Sequence, residues 1–190
     1  HRIESIASFS SSTTNDSALA FCENEILIYS QNGNQLIVSS SRQLIEFDQR
    51  TFIRGLCFVE WLSKCLVIAN DSIYLLDYRN LIYELLEVGS DYRCGVIDNL
   101  HERFYLIKQS TLCKYDRTCL QADQYPIADG YECQSVCLDN RTNDSLALLV
   151  RNTERRSSIL VYSTANLSNG YLYKILFDDC LERTWICSSE

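Results

Sequence analysis

Ten cysteines, two histidines and one arginine-rich segment are the residues of this chain best suited to chemistry. The cysteines are Cys22, Cys57, Cys65, Cys94, Cys113, Cys119, Cys133, Cys137, Cys180 and Cys187. An even count permits a disulfide framework. Asn-x-Ser/Thr sequons at Asn15, Asn70, Asn140, Asn143 and Asn166 point the same way, toward an oxidising, glycosylating compartment. Three facts oppose that reading. A chain this rich in Asn and Ser produces roughly two such triplets by chance. Cys57, Cys65 and Cys113 also stand inside apolar runs, where a free thiol behaves as a small buried hydrophobe. A chain of 190 residues does not need disulfide staples. Reduced core cysteines are therefore the leading expectation, with extracellular disulfides the alternative.

Metal chemistry needs clustered ligands. The close cysteine pairs, Cys113 with Cys119 and Cys133 with Cys137, lack the paired C-x2-C spacing of a structural zinc site. No metal and no cofactor is expected. Of the two histidines, His1 and His101, the second sits in Asn99-Leu100-His101-Glu102-Arg103 between two apolar runs. It reads as an exposed hairpin turn rather than the base for a cysteine nucleophile. No glycine-rich phosphate loop, G-x-S-x-G elbow or H-E-x-x-H helix is present. The acid pairs Asp178-Asp179 and Glu23/Glu25 read as loop charges. The expectation is a protein without catalytic activity, with an enzyme whose site lies in a central channel of the fold as the less favoured alternative.

The densest basic segment is Arg151-Asn152-Thr153-Glu154-Arg155-Arg156, between the apolar runs Leu148–Val150 and Ile159–Tyr162. It reads as a hairpin loop. Arg151, Arg155 and Arg156 are the candidate partner-binding residues, because guanidinium groups grip carboxylates through two parallel hydrogen bonds. The competing reading is a loop kept soluble by its charge. The chain as a whole carries −8, from 25 acidic and 17 basic residues, and so repels phosphate backbones. A protein partner is expected, and no nucleic acid. The longest apolar runs, such as Cys65–Ala69, are far too short to span a bilayer. The chain opens on His1 and contains no Met, so it reads as a fragment or processed product. The expected compartment is the cytoplasm, with the extracellular space as the alternative.

The positioning elements repeat. Stretches starting at Gly55, Gly95 and Ser135 begin 40 residues apart, each with three apolar segments separated by polar breaks. Short strands on a period near 40 are the pattern of a β-propeller blade. The expectation is an all-β array of about four four-stranded antiparallel blades within one domain, 1–190. Approximate units are 3–54, 55–94, 95–134 and 135–182, and 183–190 starts a further one. Strands are expected at Leu56–Trp61, Cys65–Ala69 and Ser72–Asp77. Asn80–Val88 is a fourth strand or a short helix, since Leu81, Leu85 and Val88 also share a helical face. Third-position segments 43–48, 72–77, 111–116 and 158–163 share a bulky apolar residue followed by Asp or Ser, as does 25–30. Tyr74, Tyr105, Tyr115 and Tyr162 are expected to pack between blades. Gly and Pro are scarce, so the turns must use Asn, Asp and Ser.

The blade length and the aromatic-Asp strand ends, as in Tyr115-Asp116, resemble the WD-repeat and NHL-type β-propeller superfamily. The resemblance covers roughly residues 3–182. The Trp-Asp and Gly-His pairs of WD repeats and the YWTD signature of receptor propellers are missing. The resemblance implies a propeller fold with protein binding as the usual role, and assigns no catalytic residue. Propellers typically close with more blades than this, and an arc of four would expose blade faces at both ends. Further blades, or another subunit, are therefore expected to complete this one.

Overall fold

The computed structural model describes strand backbones between residues 5 and 46. With side chains it describes residues 51–77, 80, 82–89, 91–118, 123–139 and 141–176. The segment 183–190, expected to start a further blade, lies outside the described residues. The chain divides into two compact units, His1–Ser90 and Asp91–Glu190.

The first unit holds two antiparallel sheets. One runs β1 (Ser5–Phe9), β2 (Ser17–Cys22), β3 (Glu25–Asn32), β4 (Gln35–Val38). Within the segment 43–48 the described residues form β5 (Leu44–Glu46), which pairs with the start of β3. The other sheet runs β6 (Ile53–Val59), β7 (Lys64–Ala69), β8 (Ser72–Asp77), β9 (Ile82–Val88). The second unit also holds two such sheets. They are β10 (Tyr92–Asp98), β11 (Arg103–Lys108), β12 (Thr111–Tyr115), β13 (Ala122–Pro126), then β14 (Tyr131–Leu138), β15 (Ser145–Asn152), β16 (Ser157–Ser163), β17 (Tyr173–Leu176).

Each of the last three sheets is a meander whose second strand is its most apolar. Cys65, Leu66, Val67, Ile68 and Ala69 of β7 are all buried, as are Phe104, Tyr105, Leu106 and Ile107 of β11. Continuous apolar runs of this kind suit a strand covered on both faces. The segment after Asn80 is strand β9 and not a helix: its residues pair along β8 from Ser72↔Val88 to Asp77↔Ile82. Ile82, Leu85 and Val88 are exposed on this strand. The strand expected over Leu56–Trp61 ends earlier, at Val59. Glu60–Leu62 forms a 3-10 turn closed by the Ser63 N–H donating to Glu60 O at 3.0 Å.

In the second unit a core of Tyr105, Ile107, Cys133, Leu148, Leu160 and Tyr162, among others, fills the space between the two sheets. Tyr115 is buried as well, stacked on Phe104 at 4.6 Å between ring centroids. Tyr74 is only half-buried, in edge contact with Tyr83 of its own sheet.

Two irregularities recur in each of these three sheets. The first strand bulges at Arg54, Arg93 and Gln134, which have no partner in the register of the second strand. Nine residues further on, Ser63, Glu102 and Asn143 take left-handed backbone, with φ of 50°, 51° and 54°. Left-handed residues other than Gly carry strain. They are the local cost of making turns with little Gly. Gly55 and Ser135 directly follow their bulges, whereas Gly95 is the second residue after its bulge. The repeats are therefore spaced 39 and 41 residues from bulge to bulge, and the even 40-residue phase is their mean.

Candidate functional site

Strand register in the second unit sorts its polar residues to two ends. At one end β10 and β14 begin, and the β11–β12 and β15–β16 hairpins turn. At the other end lie the β10–β11 and β14–β15 turns.

The arginine-rich segment is at the first end. Arg151 is not in the loop but in β15, half-buried, directly opposite Glu132 on one side and Ser157 on the other. The apolar run of β15 continues in ladder pairing through Asn152, which is why the loop starts later than the hydrophobic pattern suggests. The turn itself is tied by Asn152. Its N–H donates to Arg156 O at 3.0 Å, and its carbonyl accepts from Arg155 N–H at 3.0 Å. Its side-chain Oδ1 accepts from Arg156 N–H at 2.8 Å. Arg155 sits at φ 63° on the tip. Arg155 and Arg156 are exposed. Arg156 Nε stands 3.5 Å from Glu154, with 75% and 68% of the two side chains in solvent, an ion pair too exposed to hold either partner firmly.

Four residues at this end were not legible as site residues. Arg93, on the bulge of β10, pairs with Glu132 near the start of β14. A bulge re-aims the side chain that it releases from the ladder, and β10 packs beside β14. Lys108 Nζ lies 5.0 Å from the Tyr92 ring, and Lys174 Nζ 4.9 Å from the Tyr131 ring, where it also donates to Tyr131 Oη. Each cation–π contact contributes about 0.5–1 kcal/mol at exposed positions. The detectable signal was the one-blade offset: Arg93 and Glu132 stand 39 residues apart, one repeat.

The opposite end is organised by Asp98, which is fully buried. Its Oδ1 accepts from His101 N–H at 3.1 Å and from Asn143 Nδ2 at 2.9 Å. Its Oδ2 accepts from Arg103 Nε at 2.7 Å and faces His101 Nδ1 at 2.9 Å. Burial pushes the carboxyl up, and the hydrogen bonds from Arg103 and His101 more than offset this, holding it below the usual carboxylate range. His101 is thus exposed in a turn as expected, with Nδ1 turned to Asp98. Asn143 belongs to the β14–β15 turn, so this network joins the two sheets of the unit. It is a clamp, and its acceptor atoms are filled.

Asn143 is also a sequon asparagine. Its amide nitrogen, the atom a glycan would take, is committed to Asp98. Asn70 Oδ1 accepts from Phe52 N–H at 2.7 Å. Asn166 is exposed, and its Oδ1 accepts from the Ser168 hydroxyl at 2.8 Å. Asn15 and Asn140 lie outside the described residues, as do Cys119, Cys180, Cys187 and the side chain of Cys22. Cys65 and Cys133 carry free thiols, and Cys65, Cys113 and Cys133 are buried. Burial pushes the Cys57 thiol up to about 12 and that of Cys65 higher still. The bulge at Gln134 puts Cys133 and Cys137 on opposite faces of β14, so their four-residue spacing cannot serve one ion. Among the described residues no helix is long and apolar enough to cross a membrane.

No protein-family model matches the chain, and neither does any curated protein sequence. Solved structures do. A quinonprotein alcohol dehydrogenase-like protein from Bacteroides thetaiotaomicron is 14% identical with a TM-score of 0.57, over 84% of this chain and 43% of that one. AztD from Citrobacter koseri, in its apo form, is 12% identical with a TM-score of 0.56, over 88% and 46%. A chain of a nidogen/laminin complex is 11% identical with a TM-score of 0.56, over 77% and 56%. These are β-propeller proteins, and the fold of this chain is that of β-propeller blades. The chain spans about half the length of these structures or less.

Proposed function

We propose that this chain is part of a non-catalytic protein-interaction module, a propeller of the WD-repeat or NHL kind, which presents the β15–β16 hairpin to a protein partner bearing carboxylates. One observation carries the reading. Arg155 and Arg156 stand exposed on a hairpin tip that Asn152 holds in a fixed shape, with Arg151 at its base. Loops that project from a rigid sheet are where binding residues concentrate, and arginine is the side chain best suited to reading carboxylates. The aromatic-Asp ending at Tyr115-Asp116 supports the WD/NHL assignment: Asp116 Oδ1 accepts from Thr118 N–H at 2.9 Å and so stops the strand in a turn.

The buried free thiols of Cys65 and Cys133 support a reducing, cytoplasmic setting. A second reading, an extracellular glycosylated propeller, is favoured by the exposed Asn166 and its contact to Ser168. The buried commitment of the Asn143 amide opposes it. Free-thiol titration of the protein from its native source separates the two.

The test of the binding reading is quantitative capture with wild type and with R151A/R155A/R156A, followed by affinity measurement with the purified captured protein. The triple variant is expected to lose at least tenfold in affinity. Equal binding by a folded triple variant refutes the site.

A further inference from the structure

The end of the second unit that carries these arginines also carries carboxylates: Glu154 beside Arg156, Asp91 beside Gln109, and Glu132. Glu132 is paired with Arg93 of the neighbouring sheet and lies directly across the strand pair from Arg151. Directly opposed residues of an antiparallel pair project from the same face. One carboxylate therefore sits between two guanidinium-bearing positions contributed by different sheets. The pair is half in water, with 40% of the Arg93 side chain and 50% of the Glu132 side chain exposed. An ion pair this exposed is weakly held and readily exchanged. Lys108, Lys174, Arg155 and Arg156 bring further positive charge to the same end, in a chain whose net charge is −8. Cations gathered at one end of an acidic protein mark a surface of complementary sign for an acidic ligand.

We infer that Arg93, Glu132 and Arg151 form a carboxylate-reading site for an acidic peptide segment, in which Glu132 is the internal stand-in that an incoming carboxylate displaces. This rests on the reading of the hairpin as a binding element and extends it in two ways. It adds Arg93, from the sheet before the hairpin, as a second anchor. It also makes Glu132 a specificity residue that screens out weakly acidic ligands, because a ligand must compete with a carboxylate already in place.

The experiment uses a fluorescein-labelled hexaglutamate peptide, titrated by anisotropy against the full chain. Wild type is expected to bind weakly, with affinity falling as salt rises. E132Q keeps the shape of the exposed side chain and removes its charge. It is expected to bind about threefold to tenfold tighter. R93A/R151A is expected to bind about tenfold weaker or worse. Far-UV circular dichroism checks that each variant is folded. Equal or weaker binding by E132Q, alongside weakened R151A/R155A/R156A, overturns the stand-in role and leaves the hairpin reading intact. No peptide binding by wild type and E132Q alike overturns both.

Discussion

Replacing Asp98 by asparagine should cost the second unit about 3 kcal/mol, at the lower end of the roughly 3–5 kcal/mol range for breaking a buried ion pair. The carboxylate accepts from the His101 N–H, the Asn143 amide and Arg103 Nε, and faces His101 Nδ1. A carboxamide in its place would hold the same volume but would offer one acceptor oxygen and set an NH2 group against donors. It would also leave the Arg103 charge uncompensated, with only 18% of that side chain in solvent. Single bonds to an ionised acceptor contribute about 1.5–3 kcal/mol. These do not add, because they share one group. The His101 side chain is 42% exposed and can turn to water, which keeps the loss at the low end of the range. Asn143→Gly removes one bond and tolerates the left-handed backbone, so its cost should be nearer 1.5 kcal/mol. The assay is urea unfolding followed by far-UV circular dichroism. The Asp98 carboxyl is held below its ordinary value in the folded state. Its contribution is therefore complete above the unfolded-state pKa and fades as pH falls through the folded one. D98N should abolish that part of the acid dependence. A loss below about 1 kcal/mol, or an unchanged acid slope, would refute the clamp.

Two further perturbations test the irregular backbone and the thiols. Ser63→Gly should stabilise the first unit by about 0.5 kcal/mol, since relief of the left-handed strain outweighs the added freedom of the unfolded chain. Ser63→Val should destabilise it by at least about 1 kcal/mol, and thermal melts of the two variants should move in opposite directions. Cys65, fully buried and with its thiol pushed far above the ordinary range, should react with a disulfide reagent at pH 8 only after unfolding. Prompt labelling of Cys65 in the native protein would contradict the burial of β7.

The period of the short strands was readable because each central strand is a continuous apolar run, as in Cys65–Ala69 and Phe104–Ile107. The bulges were not readable, since Arg54, Arg93 and Gln134 share no residue type and a bulge is a property of two strands at once. This also hid the uneven spacing of the repeats. Arg155 and Arg156 were legible from their charge density. Arg93 and Glu132 were not, because each looks like an isolated surface charge until the sheets are assembled. Asp98 was missed for a related reason: one of its donors, Asn143, lies 45 residues away in the next sheet. His101 drew notice as a rare residue type, but its significance lies in the carboxylate three residues before it.

The most direct test of the proposed binding surface is the anisotropy titration of labelled hexaglutamate with wild type and R151A/R155A/R156A at two salt concentrations. A binding surface at the β15–β16 hairpin requires saturable binding by wild type that weakens with salt, and loss of at least tenfold in the triple variant. Indistinguishable curves for the two folded proteins would contradict it.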